Sequence, residues 1–253
     1  MHPEFIKIGN FVIYWYGVMV AIGIFVSCFI FQKISLKNGY SENITSKLLL
    51  WLIFWSIIGA RVLHILVHFP YYYGHPLDII KIRNGGLAIE GGIIAGLLFI
   101  VIFGKINHLK TIEILDLVAL VVPLGQAIGR IGCFLNGCCY GKKTDFIFGV
   151  KFPHLSYKVH PTQLYYSFSY FIFFLFLWLL YKKKVKDGII FSSYLLFFSL
   201  LRYLMDFLRG DLKGTFLFLY PTQLIAIPIF FLGGILFMLF LQRKENMDGE
   251  IGV

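Results

Sequence analysis

The stretch Gly125-Gln126-Ala127-Ile128-Gly129-Arg130-Ile131-Gly132-Cys133-Phe134-Leu135-Asn136-Gly137 decides how this chain is read. It has the character of the far half of a membrane helix, yet it carries an arginine. A guanidinium keeps its proton and is costly to place in hydrocarbon, so Arg130 requires an anion or a water-filled cavity. The glycines on either side let another backbone, or a bulky ligand, come close. A permanently charged fork in a glycine-lined membrane cavity points to a lipid phosphate as its partner.

Composition sets the surroundings. Of 253 residues, 58% are hydrophobic and only 14% charged, and the mean hydropathy is +0.79. These values exclude a soluble domain and call for a polytopic helical membrane protein. The 28 Phe and 15 Tyr suit lipid-facing and interfacial surfaces. The net charge of +10 fits basic loops beside anionic headgroups, and no nucleic-acid-binding motif accompanies it. The first apolar run lacks the flanks of a cleaved signal peptide and reads as a retained span.

Seven apolar segments are predicted to cross the bilayer: Phe11 to Phe31, Leu48 to His68, Leu87 to Gly104, Ile112 to about Cys138, Gln163 to Tyr181, Gly188 to Leu208, and Pro221 to Leu241. Each can span about 30 Å of hydrocarbon at about 1.5 Å per residue. One set of connections carries Lys33, Lys37, Lys47, Lys105, Lys110, Lys182, Lys183, Lys184, Lys186, Arg243 and Lys244. The opposite set carries Lys7, Lys81, Arg83, Lys142, Lys143, Lys151, Lys158, Arg209 and Lys213, over longer loops. The positive-inside bias puts the N-terminus outside and the C-terminus in the cytoplasm. The connection from Tyr140 to Pro161 reads as an ordered cap over the external mouth. No internal repeat or linker is expected, so residues 1–253 form one domain.

Polar residues inside or beside the spans are the candidate site. Arg202 and Asp206 stand at i and i+4, with Arg209 on the same face. They form either a structural ion pair or, with Arg130, a two-sided phosphate clamp. Glu90 lies among glycines early in the third span, as an interfacial or ion-paired carboxylate or as a general base. Glu113 and Asp116 favour the start of the fourth helix through its macrodipole. Arg61 needs a partner that the sequence does not name. His64 and His68 lack a third ligand and read as a histidine face. In His160-Pro161-Thr162-Gln163-Leu164-Tyr165, Pro161 and Thr162 are helix-start residues, which puts His160 at the external interface. Cys28 reads as a small core residue. Cys133, Cys138 and Cys139 fit no zinc spacing, and no metal is expected.

Taken together, these segments resemble bacterial prolipoprotein diacylglyceryl transferases over most of the chain. The resemblance rests on Tyr14-Trp15-Tyr16-Gly17, Gly85-Gly86-Leu87 with Gly91-Gly92, Gly129-Arg130-Ile131-Gly132 through Asn136-Gly137 and Gly141, the His160 to Tyr165 motif, and the helix bearing Arg202 and Asp206. It implies an all-α, seven-span protein of the bacterial inner membrane, built around a lipid-accessible polar cavity with an external cap loop. The implied reaction moves the diacylglyceryl group of phosphatidylglycerol to the thiol of a lipobox cysteine in a prolipoprotein signal peptide, giving a thioether and sn-glycerol 1-phosphate. No cofactor is implied, and the partners are membrane lipid and prolipoprotein rather than nucleic acid. Carried onto this chain, the catalytic residues are Arg130, Arg202, Glu90 and His160. The substrate-binding residues are Arg130, Tyr16, Asn136, Gly141, Asp206 and Gln163. Fixed guanidiniums suit the departing phosphate oxygens, and the nucleophile belongs to the substrate.

The chain departs from the family where histidine is replaced by Glu90, asparagine by Cys133 and glutamate by Cys138. These changes fall beside the arginines, so the base and the acceptor stay open. Two alternatives remain at this stage. One keeps the fold and lipid donor but changes the acceptor. The other is a membrane thiol–disulfide protein using Cys133, Cys138 and Cys139 on the oxidising side, although it leaves the arginines without a role and a Cys138–Cys139 disulfide would be strained.

Overall fold

A computed structural model of the chain describes residues 3–9, 11–81, 86–210 and 219–243. Arg83, Asn84, Gly85, Lys213 and Lys244, which entered the orientation and glycine-motif readings, lie outside them. The described chain is helical apart from an N-terminal hairpin and a non-helical segment over residues 137–161 that carries isolated β-bridges. Seven helices are long and apolar enough to cross a membrane: α1 (Trp15–Lys37), α2 (Glu42–Val67), α4 (Ile89–Ile106), α5 (Thr111–Asn136), α6 (Thr162–Lys182), α7 (Ile189–Asp206) and α8 (Pro221–Gln242). The short α3 (Phe69–Gly74) and a 3-10 turn (Pro76–Ile79) follow α2.

The first predicted span starts four residues too early. Phe11–Tyr14 is a strand, β2, antiparallel to β1 (Glu4–Ile8), with Lys7 opposite Val12 and Ile8 opposite Phe11. The run Phe-Val-Ile-Tyr is rich in the aromatic and β-branched residues that favour strands. Gly9, at φ 58°, sits in the left-handed turn between the strands. The other boundaries move by a few residues. α2 begins earlier than hydropathy suggested because the Ser41 side chain accepts from the Ile44 N–H and caps the helix.

Internal contacts divide the chain into two units, one of residues 30–115 and one of residues 1–29 with 116–253. In the first, α2 and α4 pack at backbone contact. A Cβ on Gly59 would lie 2.5 Å from the Gly91 carbonyl oxygen, and one on Gly91 would lie 2.3 Å from that of Gly59. Small residues replace a hydrophobic driving force that lipid cannot supply between membrane helices.

In the second unit α5 is central. Half of its most apolar window is buried, against 11% for α8. α1 crosses it closely, since a Cβ on Gly23 would meet the Gly125 oxygen at 2.9 Å, and Ser27 donates to the Val121 carbonyl at 3.2 Å. Ser167 of α6 donates to the Ala127 carbonyl at 2.8 Å, and Gln126 donates to the Tyr194 hydroxyl of α7 at 2.9 Å. Ala127, Tyr166, Tyr170 and Leu201 form the buried core between them. Asp116 is structural, but not as the macrodipole reading has it. Its carboxylate accepts from Gly188 N–H at 2.6 Å and Phe191 N–H at 2.7 Å, capping the first turn of α7 rather than serving its own helix.

Candidate active site

Arg130 leaves α5 half-buried, with its guanidinium carbon 4.1 Å from the centroid of the Tyr166 ring on α6. No carboxylate pairs with it among the described residues. Tyr166 is fully buried, and its hydroxyl has no hydrogen-bond partner there. The ring holds the cation from below through its π face and leaves the donor edges of the guanidinium for a ligand. The flanking glycines serve helix packing. A Cβ on Gly132 would come within 2.9 Å of the Met19 Cβ and 3.3 Å of Tyr16, whereas Gly129 meets nothing nearer than 4.0 Å.

A second cationic group stands at the end of α7. Asp206 is fully buried, lies 3.6 Å from Arg202 Nε and 3.9 Å from Arg209 Nη1, and accepts a hydrogen bond from the Thr222 hydroxyl of α8. Asp206 therefore neutralises its neighbours. Arg202 and Arg209 share this one carboxylate, whereas Arg130 rests on the Tyr166 ring. Arg130 and Arg202 both act electrostatically on the Tyr166 and Tyr170 hydroxyls.

The turn after α5 brings the three cysteines together. Cys138 N–H bonds the Cys133 carbonyl at 3.2 Å and Gly137 N–H bonds that of Phe134 at 3.1 Å. Gly137 sits at φ 71°. This is a Schellman motif, whose geometry here folds the residue two past the helix end back over the fourth-last helical one. Those two positions are Cys138 and Cys133. Cys139, also left-handed at φ 62°, adds its sulfur 3.8 Å from that of Cys138. All three sulfurs lie within 4.8 Å of one another. Spacing alone gave no metal pattern, because the helix cap supplies the convergence. The Asn136 side chain reaches the Cys138 sulfur, and the exposed Tyr16 carries its hydroxyl within electrostatic range of all three thiols and of Arg130.

The His160 motif anchors this turn. Thr162 donates to the Cys139 carbonyl at 2.7 Å, and Gln163 Nε2 donates to that of Cys138 at 2.6 Å. Both residues are fully buried, and Gln163 Oε1 has no partner among the described residues. His160 Nδ1 lies 3.3 Å from the Tyr165 hydroxyl. Gly141 permits contact between loops. A Cβ there would lie 2.6 Å from that of His160 and 2.8 Å from the Leu208 carbonyl oxygen, while Lys142 N–H bonds Leu208 O at 2.7 Å. The cap segment is ordered, with Val150 and Val159 exchanging backbone bonds and Phe152 and Val159 fully buried.

Glu90 belongs to the 30–115 unit, in the first turn of α4, exposed and without an ion pair among the described residues. In the same unit Arg61 finds its partners in backbone carbonyls. Nε bonds Ile79 O at 3.0 Å, Nη1 bonds Gly86 O at 2.9 Å, and Nη2 bonds Asp78 O. Gly86 is required there, since at φ 80° a Cβ would lie 2.6 Å from Arg61 Nη1. His64 and His68 stack with centroids 4.3 Å apart and share a cavity of about 330 Å³ with Arg61 and Asp78. The Asp78 carboxylate, bonded by Lys81 and by the Tyr71 hydroxyl, is held below the usual carboxylate range.

Sequence reading missed Tyr166 and Thr222 and took Thr162 only as a helix-start residue, though signals were present. Tyr166 and Tyr170 are one turn apart on α6. Pro161-Thr162-Gln163-Leu164 recurs as Pro221-Thr222-Gln223-Leu224. Both copies start a helix and fasten the loop or helix end packed against it. Gln223 Nε2 donates to the Tyr203 carbonyl at 3.1 Å, as Gln163 does to Cys138.

Arg130 on the Tyr166 ring, the Arg202–Asp206–Arg209 group and the three-cysteine turn are thus the main polar features of their unit. The family model described as "Prolipoprotein diacylglyceryl transferase" matches residues 3–239. A phosphatidylglycerol–prolipoprotein diacylglyceryl transferase of Clostridium tetani is 34% identical, over 97% of this chain and 100% of that protein. Similarly named proteins of Finegoldia magna and Bacillus velezensis are 36% and 31% identical, over 88% and 98% of this chain and 90% and 95% of their own lengths. A match over nearly the whole chain, spanning the α5 arginine, the anchored cysteine turn and the Arg202–Asp206 helix alike, shows that this multi-pass membrane protein belongs to the prolipoprotein diacylglyceryl transferase family.

Proposed function

We propose that this chain performs its family's transfer with Arg130 as the phosphate-binding cation, moving the diacylglyceryl group of phosphatidylglycerol onto a lipobox cysteine. The observation that carries the reading is a half-buried guanidinium in an apolar helix, backed by Tyr166 and lacking a carboxylate among the described residues. Such a charge is costly without an anion, and a phosphodiester matches its fork. The acceptor thiolate attacks the glyceryl carbon. The carbon–sulfur bond forms, the carbon–oxygen bond breaks, and the electron pair leaves on the phosphate oxygen of sn-glycerol 1-phosphate. The leaving group gains negative charge during this step, so fixed cations stabilise the transition state more than the ground state.

Arg202, tied to Asp206, is the second cation of the clamp. His160 and Glu90 are the two acceptors for the thiol proton. His160 Nε2 and the Glu90 carboxylate have no hydrogen-bond partner among the described residues. Tyr16 and Asn136 border the acceptor side, whereas Gln163 and Gly141 hold the turn in place. The reading requires no organic cofactor and no nucleic acid. It treats residues 1–253 as one functional domain of the bacterial inner membrane, with the N-terminus external and the Lys182 to Lys186 loop cytoplasmic. The gene is expected to rescue a bacterium depleted of its own transferase, while Arg130→Lys is not. Lack of rescue by a correctly inserted wild-type chain would count against the proposal.

A further inference from the structure

We propose that Cys133, Cys138 and Cys139 form a zinc site with an open fourth position that takes the acceptor thiol as its last ligand. This rests on the transfer reaction proposed above and names how that site makes its nucleophile.

Geometry carries the argument. Tetrahedral zinc bonds sulfur at about 2.3 Å, which puts bound thiolates about 3.8 Å apart. Cys138 and Cys139 already stand at 3.8 Å, and all three sulfurs lie within 4.8 Å of one another. The scaffold behind them is rigid. The Schellman cap fixes Cys138 over Cys133, and buried Thr162 and Gln163 grip the carbonyls of both turn cysteines. Cys139 holds a left-handed backbone that disfavours a side chain, a strain of the kind that clusters at ligand sites. Charge agrees as well. Three thiolates on a divalent ion carry a net negative charge, and Arg130 stands three residues before Cys133 on the same helix.

Three protein ligands with one open position is the pattern of a catalytic rather than a structural zinc site. A thiol that coordinates there gives up its proton, here to His160. The bound thiolate then attacks the glyceryl carbon of phosphatidylglycerol. The carbon–sulfur bond forms and the carbon–oxygen bond breaks. The electron pair goes to the glycerol phosphate oxygen, and the neutral thioether, a weaker ligand than a thiolate, leaves the metal. No electrons are exchanged with an outside partner.

The test uses the full-length protein in detergent, stripped with chelator under reducing conditions and titrated with Co²⁺ as a coloured substitute for Zn²⁺. The expected result is one ion per chain, a thiolate-to-cobalt charge-transfer band, and intense visible bands of tetrahedral coordination that Zn²⁺ abolishes. Each of Cys133→Ser, Cys138→Ser and Cys139→Ser should weaken binding at least about 10-fold, since loss of even an outer-shell partner costs about 10–100-fold, while Cys28→Ser binds as the wild type does. A lipobox cysteine peptide should shift the visible bands and its serine analogue should not. Binding that survives all three substitutions, or a spectrum indifferent to the cysteine peptide, overturns the inference. So does preference for Cu⁺ in a closed three-coordinate site, or formation of a disulfide among the three in place of metal binding. Full transfer by metal-free protein sinks the zinc site and leaves the transferase standing. Peptide-sensitive cobalt binding without any glycerol phosphate release sinks the transferase reading and leaves the metal site standing.

Discussion

Arg130→Lys separates charge from geometry at the proposed phosphate site. Lysine keeps the positive charge but loses the planar fork and its stack on Tyr166, where the guanidinium carbon lies 4.1 Å from the ring centroid. The stack is worth about 0.5–1 kcal/mol, so the variant should insert and fold, with a small fall in melting temperature. Catalysis should suffer more. Losing one of two parallel charge-assisted bonds removes about 1.5–3 kcal/mol, and loss of one donor to a developing oxyanion costs about 10²–10³ in kcat. We expect kcat to fall by about 10², with a smaller rise in KM for phosphatidylglycerol, because the second negative charge exists only after the carbon–oxygen bond begins to break. The assay is release of labelled glycerol phosphate from phosphatidylglycerol by purified protein, with thermal unfolding as the control for structure. Turnover by Arg130→Lys within about threefold of wild type would remove Arg130 from the phosphate and refute the reasoning.

Asp206→Asn should destabilise the protein by about 3 kcal/mol, since it strips the buried counter-charge from Arg202 and Arg209; an unchanged unfolding midpoint in detergent would show that the ion pairs contribute nothing. Gly59→Ala should cost about 1–3 kcal/mol by forcing α2 from α4, because its Cβ would lie 2.5 Å from the Gly91 oxygen; wild-type stability would contradict the close crossing. Glu90→Gln, at an exposed position without an ion pair among the described residues, should leave stability within about 0.5 kcal/mol while slowing transfer, and an unchanged rate removes it from the proton acceptors in favour of His160.

Hydropathy located every span because lipid solvation acts on composition, which is local. It failed at Phe11–Tyr14, where an apolar strand and an apolar helix look alike over four residues. Arg130 was legible as an unusual charge, and the Arg202–Asp206 pair was legible from helical spacing. Arg61 was legible only as a problem, because its partners are the carbonyls of a turn about one helix length away in sequence. Asp116 was assigned to the wrong helix for the same reason, since a carboxylate caps whichever helix end lies nearest in space. The cysteine cluster was within reach of a closer reading. Gly137 marks a left-handed cap, and a cap folds Cys138 onto Cys133. Motif spacing does not contain that step, because ligand signatures count residues and ignore the turn between them. Tyr166 under Arg130 depends on how α5 and α6 cross, which no local pattern records.

The central claim is thiol alkylation by a lipid phosphate ester, and one reaction tests it. Purified, reduced protein is given phosphatidylglycerol with a peptide bearing a lipobox cysteine, or with the same peptide carrying serine. The cysteine peptide should gain a diacylglyceryl group through a thioether, matched mole for mole by released sn-glycerol 1-phosphate. The serine peptide should stay unmodified, because a neutral hydroxyl is a far weaker nucleophile than a thiolate. Consumption of phosphatidylglycerol with the cysteine peptide left unmodified, or equal modification of both peptides, would contradict the account.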